Sequence, residues 1–241
     1  GVVQALVLAP TRELALQSAD AITDMAHRSR GLEVVAVYGG APYGPQIGAL
    51  RDGAQVVVGT PGRIIDLIDK GALSLDSVRY FVLDEADEML RMGFAEDVET
   101  IASSLPEERR TALFSATMPG PVIAMARQYM TKPMRISAAD PEDASKTKAS
   151  IRQVVYRAHH LDKDEMIGRI LRATGRGRTV IFTKTKRDAA RVAEELVNRG
   201  FAAAPLHGDL NQVAREQALK AFRSGKVDIL VATDVAARGI D

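Results

Sequence analysis

Short apolar runs alternate along this chain with longer stretches in which apolar residues return every three or four positions, the first a strand pattern and the second a helix pattern. Strands are expected at residues 4–9, 33–38, 55–58, 80–83 and 110–114, and again at 151–157, 178–183, 201–206 and 227–232. Helices are expected at 10–27, 46–52, 63–70, after the strand at 80–83, and at 164–174, 187–199 and 211–224. Gly71 and Gly200 stand where a helix C-cap favours a residue free to turn left-handed. Such alternation predicts an α/β fold built on parallel sheets. The predicted strands finish in small, hydroxylated or charged residues, and that edge of a parallel sheet is where ligands gather.

The alternation breaks once. Residues 138–150 have no apolar period and read as a linker, which divides the chain into a first lobe at 1–137 and a second at 151–241. With 46% hydrophobic and 26% charged residues, the composition is that of a globular protein with a sizeable core. No cysteine is present, which excludes disulfides and thiolate metal sites. No apolar run of 18 residues and no signal-peptide pattern occurs, so a soluble, cytoplasmic protein away from membranes is the expectation. The net charge of +1 conceals an asymmetry. Residues 1–137 hold 13 Lys and Arg against 17 Asp and Glu, whereas residues 151–241 hold 17 against 11. A basic second half suits a polyanionic partner, although Arg169, Arg172 and Arg191 read as solvated helix faces.

The chemistry centres on the run at 80–83, which stops abruptly at Asp84 and Glu85. An Asp just past a strand can hold Mg²⁺ directly or through water, since that ion prefers oxygen ligands and keeps several waters beside phosphates. A neighbouring Glu can orient or deprotonate a water attacking a γ-phosphate. Equally, two acids can simply open the following helix at the positive end of its dipole.

Six segments together change that balance. Pro10-Thr11-Arg12-Glu13-Leu14-Ala15, Gly39-Gly40, Thr60-Pro61-Gly62-Arg63, Asp84-Glu85-Ala86-Asp87, Ser115-Ala116-Thr117 and the segment from Ala232 to Asp241 occur in order, each at a predicted strand end. In that order and spacing the chain resembles the DEAD-box RNA helicases over essentially its whole length. Arg91-Met92-Gly93-Phe94 and Gly208-Asp209-Leu210-Asn211-Gln212 look most like the bacterial cold-shock branch. The resemblance implies two RecA-like lobes, both incomplete at the chain ends, and an enzyme that hydrolyses ATP with Mg²⁺ while binding RNA and parting short duplexes.

By the same resemblance, Asp84 holds Mg²⁺, Glu85 positions the hydrolytic water, and Asp87 ties this loop to Ser115 and Thr117. Ordinary helix capping remains open for the two hydroxyls. In the second lobe Asp241 matches the position that bonds the ATP ribose, and Gly239 lets backbone come close to the nucleotide. Arg12, Gly40, Thr60, Gly62 and Arg63 match first-lobe positions that meet RNA backbone. Lys184, His207, Gly208, Gln212, Arg215, Thr233 and Asp234 fall in or near the RNA-facing segments of the second lobe. His207 is assigned no proton transfer, since a lone His beside Gly is more often a loop hydrogen-bonder. Backbone contacts imply binding without sequence preference, and the absence of Trp argues against a base-stacking platform.

No Gly-x-x-x-x-Gly-Lys-Ser/Thr phosphate loop occurs in the 241 residues, and the His-Arg-x-Gly-Arg stretch that carries the family's arginine finger is also missing. The chain is therefore expected to be the middle of a longer protein and inactive alone as an ATPase. A non-catalytic RNA-binding or protein-docking module on the same scaffold stands as the alternative; Asp84-Glu85, Ser115, Thr117 and Asp241 together favour the enzyme, since a pure binder needs no magnesium and water site.

Overall fold

The computed structural model describes residues 1–29, 31–138 and 151–233, which divide into two compact units, Gly1–Pro133 and a second beginning at Met134. The expected linker lies outside the described residues apart from Ala138.

The first unit runs β1 (Ala5–Leu8), α1 (Arg12–Ala26), β2 (Val34–Val37), α2 (Tyr43–Arg51), β3 (Val56–Gly59), α3 (Pro61–Asp69), β4 (Tyr80–Leu83), α4 (Ala86–Arg91), α5 (Ala95–Ser103), β5 (Arg110–Leu113) and α6 (Gly120–Tyr129). Its five strands are all parallel, in the order β2-β3-β1-β4-β5. In-register pairing sets Leu6, Val57, Val35 and Phe81 side by side on one face of the sheet. That face packs on Ile64, Leu67, Val98, Ile101, Val122 and Met125 of the helices. The opposite face, with Val7 and Val58, packs on Leu14, Ala15 and Ala19 of α1. A strand buried on both faces is apolar throughout, which is why β1 and β3 read as unbroken runs. Each fully buried Leu or Phe stabilises the unit by about 1.5–3 kcal/mol.

The second unit contains α7 (Lys163–Leu171), β6 (Thr179–Thr183), α8 (Lys186–Asn198), β7 (Ala203–Leu206), α9 (Gln212–Arg223) and β8 (Ile229–Thr233). Its three strands are parallel in the order β6-β8-β7, with Leu230, Val231 and Ala232 of the central strand fully buried. Helix α8 lays Ala189, Val192, Ala193 and Leu196 on it. The expectation of two parallel-sheet α/β lobes therefore holds.

Local structure departs from the expected elements at four places. No strand forms at 151–157, where Ile151, Val154, Val155 and Tyr156 are all exposed. β-propensity makes a strand only when a neighbour completes its hydrogen bonds, and among the described residues none pairs with this segment. Helix α6 has no counterpart among the expected elements; it carries its proline in the first turn, where no intrahelical donor is lost. Helix α2 starts ahead of the expected position for the same reason, with Pro45 among the first residues. The single helix expected after β4 is two, parted at Gly93, whose φ of 83° ends α4.

Candidate functional site

The carboxyl ends of the five first-unit strands lie along one edge, and each of the five first-unit motifs starts there. From one side to the other come Gly39-Gly40 after β2, Thr60 to Arg63 after β3, Thr11 and Arg12 after β1, Asp84-Glu85 after β4, and Ser115 to Thr117 after β5. The connection leaving β1 runs toward β2 and that leaving β4 runs toward β5, so these neighbouring strands send the chain to opposite sides, the kind of switch point at which open parallel sheets bind ligands.

At the β4 end the backbone turns sharply. Glu85 adopts φ 49° and ψ 53°, a left-handed conformation that a residue with a side chain enters only at a cost of about 1–3 kcal/mol. The Asp84 amide still donates to Leu8 O at 3.0 Å, extending the ladder, and the Asp84 carboxylate accepts the Glu85 N–H at 3.0 Å. The Ala86 N–H donates to Phe114 O at 3.0 Å, so the corner is anchored to β5. Both Asp84 and Glu85 are half-buried at this corner.

Asp87, only 8% exposed, is the joint between the two strand ends. Its carboxylate accepts the Thr117 hydroxyl at 2.6 Å, the Thr117 amide at 3.2 Å and the Glu88 amide at 3.0 Å. The Ser115 hydroxyl accepts the Asp87 N–H at 3.2 Å and gives its own proton to Thr117 O at 2.7 Å. Thus Asp87, Ser115 and Thr117 come together, but as a relay: one hydroxyl reaches the carboxylate and the other reaches the backbone. Neither caps α6, which begins at Gly120 behind Pro119, but the Ser115 hydroxyl satisfies a first-turn amide of α4, that of Asp87. Burial alone would raise the Asp87 pKa, yet the hydrogen bonds, led by the Thr117 hydroxyl, outweigh it and hold the carboxyl below its ordinary value.

The β2–β3–β1 end is built from cations and glycines. Arg12 opens α1 behind Thr11, whose hydroxyl accepts the Leu14 amide at 3.3 Å. The Arg12 guanidinium lies so close to Gly40 that a Cβ there would stand 2.7 Å from a terminal nitrogen, and Gly40 has φ +82°. Thr60 is the N-cap of α3 but makes no side-chain capping bond, and Gly62 opens onto empty space. Arg63 is placed otherwise than the sequence expects of a residue meeting RNA. It is 7% exposed, with both terminal nitrogens on Ala41 O at 3.1 Å and one of them also on Gln46 Oε1 at 2.9 Å.

In the second unit, Lys184 follows β6, His207 and Gly208 follow β7, and Thr233 ends β8 opposite Thr183. Parallel register puts these positions on one edge of the three-stranded sheet. Lys184 and Gly208 are exposed, and His207 is half-buried with no hydrogen-bond partner for Nδ1. Gln212 and Arg215, three residues apart on α9, are both 8% exposed, and the Gln212 amide donates to Glu216 at 2.7 Å. Asp234, Gly239 and Asp241 lie outside the described residues. Among the described residues no group of three or more His, Cys, Asp or Glu side chains could hold a metal ion, and no helix is long and apolar enough to cross a membrane.

Sequence reasoning missed Gln46, Tyr43 and Asp66. The Tyr43 hydroxyl bonds the Asp66 carboxylate, and the Arg63 guanidinium lies 4.1 Å from the centre of the Tyr43 ring. The only hint was a Gln at a helix position that packing demands be buried, and position alone does not reveal that.

Comparison with known proteins gives these motifs a lineage. The DEAD/DEAH box helicase family matches residues 1–126, and the helicase conserved C-terminal domain matches residues 162–241. The chain is 49% identical over 238 residues to the ATP-dependent RNA helicase DeaD of Klebsiella pneumoniae and 48% identical to that of Escherichia coli K12. It spans 99% of its own length in both but only 36% and 37% of theirs. Among solved structures, S. cerevisiae Dbp5 bound to RNA and ADP BeF3 matches the whole chain over 60% of its own, at 29% identity and a TM-score of 0.86. A DEAD box protein from Methanococcus jannaschii matches at 43% identity and a TM-score of 0.54, with 64% of that chain covered. Motif order, the all-parallel edge on which the motifs stand and the family match agree: this chain belongs to the DEAD/DEAH box helicase family.

Proposed function

We propose that this chain carries the RNA-binding edge and the water-activating corner of an ATP-dependent RNA helicase. The observation that carries the reading is the Asp84–Glu85 corner, left-handed at Glu85 and braced by Asp87 on Thr117. A corner made only to start a helix gains nothing from a strained glutamate, whereas one that must aim a carboxylate outward does.

The donor set fits a magnesium–nucleotide ligand. With no three-residue cluster among the described residues, a divalent ion would need phosphate oxygens and waters to complete its shell, which is the habit of Mg²⁺. Asp84 would hold it, and its charge would offset that developing on a transferred phosphoryl group. Glu85 orients the attacking water and accepts its proton. Asp87 keeps the corner in place by staying ionised. The same proposal gives Gly239 and Asp241 to the nucleotide.

Arg12, Gly40, Thr60 and Gly62 form the RNA-backbone surface of the first unit, with Arg63 behind it. Lys184, His207, Gly208, Thr233 and Asp234 supply that of the second, with the buried Gln212 and Arg215 behind it as Arg63 is in the first. Such contacts bind without reading sequence. The boundaries 1–137, 138–150 and 151–241 belong to this reading.

The test is phosphate release by a full-length helicase carrying this chain, with and without RNA, beside its Glu85→Gln form. RNA-stimulated release that Glu85→Gln abolishes while nucleotide binding persists supports the proposal. Equal release by both forms sinks it in favour of a non-catalytic module.

A further inference from the structure

A buried polar group that the proposed function leaves unexplained is Gln46, the sole buried residue of α2 and only 5% exposed. Both ends of its amide are used: Oε1 accepts from Arg63 at 2.9 Å, and Nε2 donates to Tyr38 O at 3.2 Å. Tyr38 immediately precedes Gly39-Gly40. Arg63 in turn clamps Ala41 O with both terminal nitrogens, and its side chain is 6% exposed. From the other side, the Arg12 guanidinium rests on Gly40. The glycine loop is therefore held between two arginines, one half-buried and one enclosed, and the enclosed one is oriented by a glutamine.

We propose that Gln46 is a positioning residue for RNA binding, acting with Arg63 to set the 39–41 loop, and that Arg63 affects RNA through that loop and not by touching phosphate. This rests on the reading of the edge as an RNA-backbone surface. The physical case has three parts. An arginine whose side chain is 6% exposed, with three hydrogen bonds given to a carbonyl and an amide oxygen and the Tyr43 ring on its face, presents little of its guanidinium to an external phosphate. A carbonyl held at two points fixes the neighbouring peptide, which orients the Gly40 and Ala41 amides. A buried amide satisfied at both ends costs more to remove than an exposed one, because its partners are left unpaired. Tyr43 bonded to Asp66 closes the outer side of the same cluster.

The experiment measures fluorescence anisotropy of a short fluorescein-labelled oligouridylate with the 241-residue chain across a salt series. The forms compared are unmutated, Gln46→Leu, Gln46→Glu, Arg63→Met and the double variant Gln46→Leu/Arg63→Met. Expected for Gln46→Leu is an affinity loss of about tenfold, the scale of one charge-assisted hydrogen bond. The log–log salt slope should also shrink by about 0.7, one single-strand phosphate contact, as Arg12 loses its seat. Gln46→Glu keeps an oxygen facing Arg63 and should recover most of the affinity. The double variant should lose no more than the worse single, since the two residues act as a unit. Gln46→Leu binding like the unmutated chain while Arg63→Met loses affinity would make Arg63 a direct contact and overturn the proposal. A lower melting temperature with an unchanged salt slope would make Gln46 merely structural and overturn it too. Absence of any salt-dependent binding by the unmutated chain would instead bring down the RNA-surface reading itself, and this proposal with it.

Discussion

The two ends of the first unit's carboxyl edge are made from opposite materials. At the β4–β5 end an acid, Asp87, collects donors: one hydroxyl and two amides converge on its carboxylate. At the β2–β3 end a base, Arg63, collects acceptors, the Ala41 carbonyl and the Gln46 amide oxygen. Each buried charge is neutralised by dipoles and not chiefly by a counter-ion; the nearest carboxylate to Arg63, that of Asp66, is 4.0 Å away. Dipoles aimed at a buried ion keep it charged without presenting the opposite charge to a ligand. One sheet edge can thus present the Asp84 and Glu85 carboxylates to a cation at one end and amides and a guanidinium to anions at the other.

Breaking the acidic end should produce the largest effect. In the full-length helicase, Glu85→Gln is expected to lower RNA-stimulated phosphate release by about 10²–10⁴, the contribution of one positioned base, with nucleotide binding unchanged. Loss of nucleotide binding along with turnover would mean that the corner had collapsed and not lost a base. The 241-residue chain by itself, which lacks a Gly-x-x-x-x-Gly-Lys-Ser/Thr loop, should release no phosphate above the no-enzyme rate.

Asp87→Ala comes next. Removing a carboxylate that satisfies three donors should cost about 2–4 kcal/mol of unfolding free energy, read from denaturant midpoints. The sign of the pH effect follows from the depressed folded pKa. Asp87 contributes fully above the unfolded value of about 3.8, and the contribution disappears as pH falls below it through the folded value. The stability difference between the unmutated chain and Asp87→Asn should therefore narrow below that pH; a difference that stays constant down the acid limb would contradict the assignment.

At the opposite end, Gly40→Ala should cost about 1–3 kcal/mol and weaken RNA binding, because φ +82° strains the new residue and its Cβ would strike the Arg12 guanidinium. Gly71→Ala separates these two causes. It shares the left-handed backbone, with φ +63°, but has nothing within 4 Å of the added Cβ, so about 1 kcal/mol should be lost with no change in RNA affinity. The smallest effect belongs to the second unit. Lys186 and Asp209 pair at 2.9 Å with both side chains more than half exposed, and Lys186→Met should change stability by less than about 1 kcal/mol.

The sequence alone determined the alternation of strands and helices, the parallel character of the sheets and the strand ends on which Arg12, Thr60, Asp84 and Ser115 stand. Periodicity and strand termini are local, and a strand buried on both faces cannot hide its apolar run; β4 falls where it was expected, at Tyr80–Leu83. Tertiary structure decided what was not local. Residues 151–157 have strand composition but, among the described residues, no neighbour to complete a ladder. Arg63 looked like a surface cation and is enclosed, because α2 folds over it and supplies Gln46. Ser115 and Thr117 looked equivalent beside Asp87, yet only Thr117 gives its hydroxyl proton to the carboxylate. Hydrogen-bond partners are chosen by distance and direction among residues far apart along the chain, thirty positions for Asp87 and Thr117, and a one-dimensional pattern carries neither.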